Sequence, residues 1–237
     1  MICRGVASST ATSKPQHILV EAAVESLEAA LAAAEGGAHR IELCTDLANG
    51  GTTSDLKVLR ACRSHLLIPI FVLVRPRAGD FVYSAAEHNE MLEQIVQAKK
   101  AGARGIVTGA LTAQQDIDQV RTSELINAAR PLPVTFHRAF DACADPAVAL
   151  QQLIDLRVER VLTSGGAKTA PEGVERISRL VVQAEDRIGI LAGGGIDGSN
   201  VAQVVRDTGV REVHFSVRNA TKVRSVVRAL RPLHRPV

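Results

Sequence analysis

The sequence is poor in aromatic side chains: only 3% of its 237 residues are aromatic, and there is no tryptophan. The formal net charge is +3, so the chain has no large excess of positive charge for contacts with phosphate backbones. Stacking of bases on aromatic rings is another common source of nucleic-acid affinity, and rings are scarce here. The composition therefore predicts no nucleic-acid partner.

The cysteines are few, far apart, and form no CxxC pair or cysteine–histidine cluster with zinc spacing; they are Cys3, Cys44, Cys62 and Cys143. A disulfide framework is not expected, and this cysteine usage is typical of a reducing cytoplasm. No segment has signal-peptide character or the ~20 consecutive apolar residues of a membrane span. We expect a cytoplasmic protein with no membrane partner, in which residues 1–17 form a flexible N-terminal tail.

Eight short apolar runs recur along the chain, separated by amphipathic stretches. They read HILVEAAV, RIELC, IPIFVLVR, GIVTG, LPVTFHR, ERVLTS, GILAGG and EVHFS. Their spacing of roughly 20 to 35 residues is the repeat length of a chain that closes eight strand-and-helix units into a barrel. The periodicity predicts an α/β fold, a TIM-type (β/α)8 barrel.

Helix boundaries are marked by specific capping residues. Ser84 and Glu87 have the spacing of a capping box, and Asp145 precedes Pro146 as an N-cap precedes a first-turn proline. No linker divides the chain, which indicates a single domain over residues 18–237. An open doubly wound sheet is the rival architecture, but no GxGxxG turn follows the first strand.

Polar side chains occupy alternate positions near the carboxyl ends of the runs. Residues two apart on a strand share a face, and one face of each barrel strand lies in the interior. The polar positions are Glu21, Glu42, Cys44, Arg75, Arg77, Thr135, His137, His214 and Ser216. The positions between them are apolar and suit the layer under the helices. We therefore expect the polar set to meet at the barrel mouth, where such barrels carry their sites.

Two arginines, Arg75 and Arg77, flank Pro76 at the end of the third run. Pro76 favours an extended Arg75 and ends the strand ladder, so both guanidinium groups are predicted to overhang one pocket, with Asp80 beside them. Arginine binds carboxylate and phosphate groups bidentately, which favours a pocket for a small anion. The alternative is a structural ion network in which these arginines neutralise Glu21 and Glu42.

Further candidates lie around the same opening. Glu42 and His137 are candidates for acid–base chemistry, whereas a metal site would also use imidazole and carboxylate groups, and the spacing does not decide between them. The stretch LAGGGIDG places Gly193, Gly194 and Gly195 between a strand and a helix, where backbone amides bind anions. Glu21, Thr135, His214 and Ser216 are expected to line the pocket.

Several long motifs strongly resemble those of the copper homeostasis protein family called CutC. They are GGAHRIELC, NGGTTSDLKVL, RPRAGDFVYS, PLPVTFHRAFD, RVLTSGG and GGGI, and together they span nearly all of the chain after residue 17. The resemblance implies a cytosolic eight-stranded barrel, assembly into a homo-oligomer, and binding of Cu(I) in copper tolerance. It implies no firmly assigned catalytic reaction.

The resemblance also implies a pair of thiolates inside the mouth, and here the pair is incomplete. Relatives often carry a cysteine in the first strand, where this chain has Ala23, so Cys44 alone remains as the expected metal ligand. Two hypotheses follow. One is a copper-binding protein that uses Cys44. The other is an enzyme or sensor for a small anionic metabolite, such as a phosphorylated one, held by Arg75, Arg77 and the glycine turn.

Overall fold

The computed structural model describes residues 17–217 and 219–234, and within them eight strands alternate with eight α-helices. The strands are β1 (Leu19–Val24), β2 (Arg40–Leu43), β3 (Ile70–Leu73), β4 (Gly105–Thr108), β5 (Val134–Phe136), β6 (Arg160–Thr163), β7 (Gly189–Gly193) and β8 (Glu212–Ser216). The helices are α1 (Leu27–Glu35), α2 (Leu56–His65), α3 (Ala85–Lys100), α4 (Gln119–Ala129), α5 (Pro146–Asp155), α6 (Val174–Ala184), α7 (Val201–Thr208) and α8 (Ala220–Leu230).

The strands form one closed parallel barrel in chain order, and β8 pairs with β1. The TIM-type fold predicted from the periodicity is confirmed. In the register of the sheet, Glu21 is level with Arg40 on one side and with His214 on the other. Because neighbours at the same level of a parallel sheet point to the same face, these three side chains meet inside the barrel.

The helix starts follow the capping chemistry of the sequence. Ser84 accepts a hydrogen bond from the Glu87 amide at 3.2 Å, and the Glu87 carboxylate accepts one from the Ser84 amide at 2.7 Å. Asp145 caps α5, which begins at Pro146. Both predicted caps are confirmed, so local hydrogen bonding fixes where α3 and α5 leave their loops.

The barrel interior is closed at the amino-terminal ends of the strands by one aromatic ring between two cations. The Phe71 ring lies 4.6 Å from the guanidinium carbon of Arg40 and 5.0 Å from that of Arg160. Gly105 leaves the space that this ring fills, since a Cβ there would lie 2.5 Å from two of its atoms. We call Arg40, Phe71, Gly105 and Arg160 the barrel floor.

The predicted N-terminal tail lies outside the described residues apart from residue 17. Within the described part of the chain, no helix combines the length and apolar character needed to cross a bilayer.

Candidate functional site

A cavity of about 440 Å³ opens at the carboxyl ends of the strands. Its ionisable lining residues are Glu42, Arg75, His137, Arg138, His214 and Lys222. Apolar side chains such as Leu73, Phe81 and Leu162 complete its wall. The volume lies in the range of small-molecule sites, ~300 to 1,000 Å³. The barrel mouth is therefore a polar cavity with room for a small ligand.

The structure brings much of the predicted polar set to this cavity. Its lining includes the predicted site residues Glu42, Arg75, His137, Gly194, Gly195, His214 and Ser216. They come from five different strand ends, so alternation along each strand gathers residues that are remote in the sequence.

Arg77 does not share the cavity with Arg75. Its guanidinium points to the outside, where it pairs with Asp80 at 2.9 Å and with Glu87 at 2.5 Å. The reason is that β3 ends at Leu73, so the alternation that carries Arg75 inward no longer governs a residue beyond Pro76. The expectation of two arginines over one pocket is corrected to one, and Asp80 leaves the pocket with Arg77.

Three further predicted residues lie within the barrel wall or interior and do not line the cavity. Glu21 and Thr135 are fully buried at the level below it. Gly193 serves packing, because a Cβ at that position would lie 2.6 Å from a methyl carbon of Leu162. Of the three glycines predicted to bind an anion, Gly194 and Gly195 line the cavity and Gly193 does not.

Glu21 and His214 form a buried hydrogen-bonded pair. His214 Nδ1 donates to Glu21 Oε1 at 2.8 Å, and Arg40 binds the other carboxylate oxygen. Burial by itself raises the pKa of Glu21, but the hydrogen bond from His214 and the charge of Arg40 lower it to about 2. Burial likewise lowers the pKa of His214, but Glu42 and Glu21 hold it above its usual value. Glu21 is therefore ionised, and His214 is oriented by it.

Glu42 is the acid without a counter-ion at close range. It is 5% exposed, and within the described residues its Oε2 atom has no hydrogen-bond partner. Burial raises its pKa to about 7, aided by the charge of Glu21 and opposed by His214. A carboxyl group with a pKa raised this far can hold or release a proton near neutral pH, which is the property that acid–base chemistry uses.

His137 is held neutral in the opposite wall. Its Nδ1 accepts a hydrogen bond from the Ala139 amide at 3.2 Å, which places the ring proton on Nε2. That Nε2 is buried and has no partner among the described residues. Burial and the charge of Arg75 lower the pKa of His137 to about 3. The His137 N–H group therefore faces the cavity as a donor to which no described residue offers an acceptor.

Arg75 is buried, yet its hydrogen bonds go to neutral groups. Its terminal nitrogens donate to the carbonyl oxygens of Asn49, Gly51 and Gly79 at 2.8 to 3.4 Å. Its guanidinium carbon lies 4.9 Å from the centre of the Phe81 ring. The hydrogen bonds to Asn49 and Gly51 stabilise the loop after β2, and the guanidinium group adds a positive charge to the cavity wall.

Several important residues were not singled out in the sequence. Arg40, Arg160 and Glu212 form the ion network under the cavity, with Glu212 Oε2 2.7 Å from Arg40 and 3.4 Å from Arg160. The same alternation rule, extended backward along each strand, would have found them. Arg138 and Lys222 lie beyond strand ends, where no periodicity indicates direction.

The buried ion network that was the alternative interpretation therefore exists, but with different arginines. Arg40 neutralises Glu21 in place of Arg75 or Arg77. Glu42 is left out of this network, so its carboxyl group stays available to a ligand.

The sequence of the chain was compared with known families, and a CutC family profile matches residues 18–219. The chain belongs to the CutC family. A CutC family protein from Pasteurella multocida is 48% identical over 197 residues, which cover 83% of this chain and 81% of that protein. The human protein named copper homeostasis protein cutC homolog is 47% identical over 201 residues, covering 85% of this chain and 74% of its own.

Solved structures agree with the family assignment. The crystal structure of a protein described as copper homeostasis protein CutC from Streptococcus agalactiae superposes with a TM-score of 0.81 at 34% identity, covering 85% of this chain and 99% of that one. A phosphoribosylanthranilate isomerase from Pyrococcus furiosus gives a TM-score of 0.59 at 16% identity, covering 91% and 100%. The second likeness shows the barrel fold alone.

The thiol position of this CutC chain is poorly suited to a metal. Cys44 packs in a buried apolar cluster with Ala23, Phe71 and Leu73, is 0% exposed, and does not line the cavity. Burial and the nearby Glu42 raise the pKa of its thiol, which disfavours the thiolate that a metal needs. Ala23 supplies no second sulfur to this cluster.

A different group fits a metal ion better. Within the described residues, Glu21, Glu42 and His214 each offer a ligand atom, and the three atoms lie within 4.8 Å of one another. Two carboxylates and an imidazole are ligands for a divalent cation and leave positions open. We call these three residues the carboxylate–histidine cluster.

Proposed function

We propose that this CutC chain binds a copper ion at the barrel mouth and thereby contributes to copper tolerance. Its human and mouse relatives carry the name copper homeostasis protein, which supports copper as the cargo. The carboxylate–histidine cluster supplies the ligands, and the unpartnered Oε2 of Glu42 is the observation that carries the proposal. A metal ion would give that buried oxygen the partner that the protein does not provide.

The ligand types favour Cu(II) at this cluster. Carboxylate and imidazole groups suit Cu(II), whereas Cu(I) is held best by soft thiolates, of which the mouth offers one at most. Copper would displace the proton of Glu42 and compete with the proton of His214, so binding should release protons and strengthen with rising pH. Cu(I) at Cys44 remains the competing version of the proposal.

Competitive titration against a chelator tests the ligand assignment. We expect Glu42→Gln to weaken Cu(II) binding at least tenfold, because the amide keeps the size of the side chain but cannot give the ion a negative oxygen. Glu175→Gln, an exposed change on α6, is the matched control and should bind like the wild type. Equal Cu(II) affinity of Glu42→Gln and the wild type would remove the cluster as the site.

The thiol version has its own test under anaerobic conditions with Cu(I). Cys44→Ser should leave Cu(I) affinity within about twofold of the wild type, as should Cys62→Ser, a buried thiol on α2. A tenfold loss in Cys44→Ser alone would move the copper site to that thiol.

We further infer that the chain works in the cytoplasm as a homo-oligomer. The three described cysteines are free thiols, as a reducing compartment requires, and the family resemblance implies the assembly. Light scattering on the purified chain measures the number of subunits, and a monomer at micromolar concentration would contradict this part of the proposal.

A further inference from the structure

The cavity contains positive charge that the described residues do not neutralise. Arg75 is 5% exposed and its terminal nitrogens donate to carbonyl oxygens rather than to carboxylates among the described residues, and Lys222 lines the same cavity. A buried cation without a counter-ion is costly to keep, so the cavity favours an anionic occupant.

The two glycines after β7 form one end of this cavity. Gly194 and Gly195 have φ values of +97° and +70°, and a Cβ on Gly194 would lie 3.3 Å from Nη1 of Arg138. Their carbonyl oxygens accept from the Ala170 amide and the Asn200 side chain. Neither glycine N–H forms a hydrogen bond within the described residues. These two backbone N–H groups, beside the guanidinium of Arg138, are suited to binding an oxyanion.

Lys222 completes that end from the first turn of α8. Its ammonium nitrogen lies 5.6 Å from the centre of the Phe215 ring. Burial lowers its pKa, opposed in part by the charge of Asp197. Lys222 lines the same cavity as Gly194 and Gly195, and Asp197 is the acid whose charge acts on its ammonium group.

The other end of the cavity offers a hydrogen-bond donor to an uncharged oxygen. The imidazole of His137 and the guanidinium of Arg75 lie 5.0 and 4.9 Å from the same Phe81 ring. His137 Nε2–H is buried without a partner, as described above. A carbonyl or hydroxyl oxygen of a ligand would satisfy this donor.

We propose that the cavity binds a small organic phosphate monoester. Its phosphate group rests against Gly194, Gly195 and Lys222, and an oxygen of its organic part accepts a hydrogen bond from His137. This inference goes beyond copper binding and does not depend on it. A carboxylate group could contact the same donors, so the test separates the two anions.

The first experiment measures binding of inorganic phosphate to metal-free protein by calorimetry. We expect the wild type to bind phosphate, and Lys222→Met to bind it at least tenfold more weakly, since methionine can cover Phe215 but carries no charge. Lys57→Met removes the same charge from the exposed start of α2 and should bind like the wild type. Equal affinity in Lys222→Met and the wild type would overturn the phosphate position.

The second experiment compares glycerol 3-phosphate, 2-phosphoglycolate and ribose 5-phosphate with their unphosphorylated counterparts. At least one phosphate ester should bind tenfold more tightly than inorganic phosphate, and glycerol, glycolate and ribose should bind at least tenfold more weakly than their esters. His137→Asn should reduce the gain from the organic part and leave inorganic phosphate unaffected. Asparagine can still accept from the Ala139 amide, which preserves the local fold.

Three results would contradict the proposal. Absence of binding by inorganic phosphate and by all three esters would remove the site. Glycolate that binds as tightly as 2-phosphoglycolate would assign the cavity to carboxylates. Esters that bind no better than inorganic phosphate would limit the site to a free ion. Because metal is absent throughout, failure of the copper proposal would not affect any of these results.

Discussion

His137 is an imidazole that the fold keeps uncharged, and this makes stability depend on pH. The unfolded chain takes up a proton at His137 near its ordinary pKa of 6.5, whereas in the folded chain burial lowers that pKa to about 3. Between these values the unfolded state binds more protons, so the contribution of His137 to stability is lost as the pH falls. From pH 7 to pH 5 the loss should be about 2 kcal/mol.

His137→Asn tests this sign. The free energy of unfolding of the variant should fall less than that of the wild type over this pH range, by about 2 kcal/mol. Glu42 has the opposite slope, because its folded pKa is raised, but it is present in both proteins and cancels in the difference. Urea unfolding followed by far-UV circular dichroism is the suitable measurement, since the chain has no tryptophan. Parallel pH curves would contradict a neutral His137.

At the residue scale, alternation predicts side-chain direction along a strand and for one or two residues past its end, as Arg75 and His137 show. It placed Glu42 and His214 correctly at the cavity because both belong to strands. It failed at Arg77, which follows the end of β3 and is directed by its ion pairs with Asp80 and Glu87. Side-chain partners from a distant part of the chain decide such positions, and the sequence does not name them.

At the scale of elements, β3 and β4 pack closely because Gly105 of β4 has no side chain where the Phe71 ring of β3 lies. Gly105→Ala would place a Cβ 2.5 Å from the Phe71 ring, which fills the adjacent interior space. We expect a loss of about 1–3 kcal/mol in the free energy of unfolding, because the ring must move into a well-packed interior.

The double variant Gly105→Ala/Phe71→Leu provides the control for that clash. A smaller side chain at position 71 makes room for the new methyl group, so the double variant should lose less stability than the sum of the two single changes. Additive losses in urea unfolding would show that the cost of Gly105→Ala does not come from Phe71.

The sequence predicted the helices and strands better than it predicted the directions of the side chains beyond their ends. Capping residues such as Ser84 and Asp145 act on amides two or three residues away, so a short stretch contains the whole interaction. Lys222 contacts a cavity built from other units of the barrel, although it lies on a helix. Its place at the cavity could not be predicted, because helical periodicity says nothing about the strand ends that lie beside the helix.

At the scale of the whole molecule, Arg40 links the first, second and last strands where the barrel closes. It lies on β2, pairs with Glu21 of β1, and is 2.7 Å from Glu212 of β8. Arg40→Met should cost about 3–5 kcal/mol, because Glu21 would remain charged and buried with one of its two carboxylate oxygens stripped of its cationic partner and only His214 left beside it.

Neutralising Glu21 in the same protein should reverse much of this loss in the free energy of unfolding. In Arg40→Met/Glu21→Gln we expect at least half of the stability to return in urea unfolding, since a neutral amide is cheaper to bury than a carboxylate. No recovery would mean that Arg40 acts through its packing on Phe71 rather than through its charge.

The barrel floor lies at the amino-terminal ends of the strands, and the cavity opens at their carboxyl ends. The ring of Phe71 and the guanidinium groups on either side of it fill the interior at that end, whereas Glu42 lines the cavity at the mouth. The proposed metal ion at the carboxylate–histidine cluster and the proposed oxyanion at Gly194 and Gly195 would share this opening. An anion bound at Gly194 and Gly195 would lie between that metal ion and the opening. The anion would then have to dissociate before the metal ion could leave.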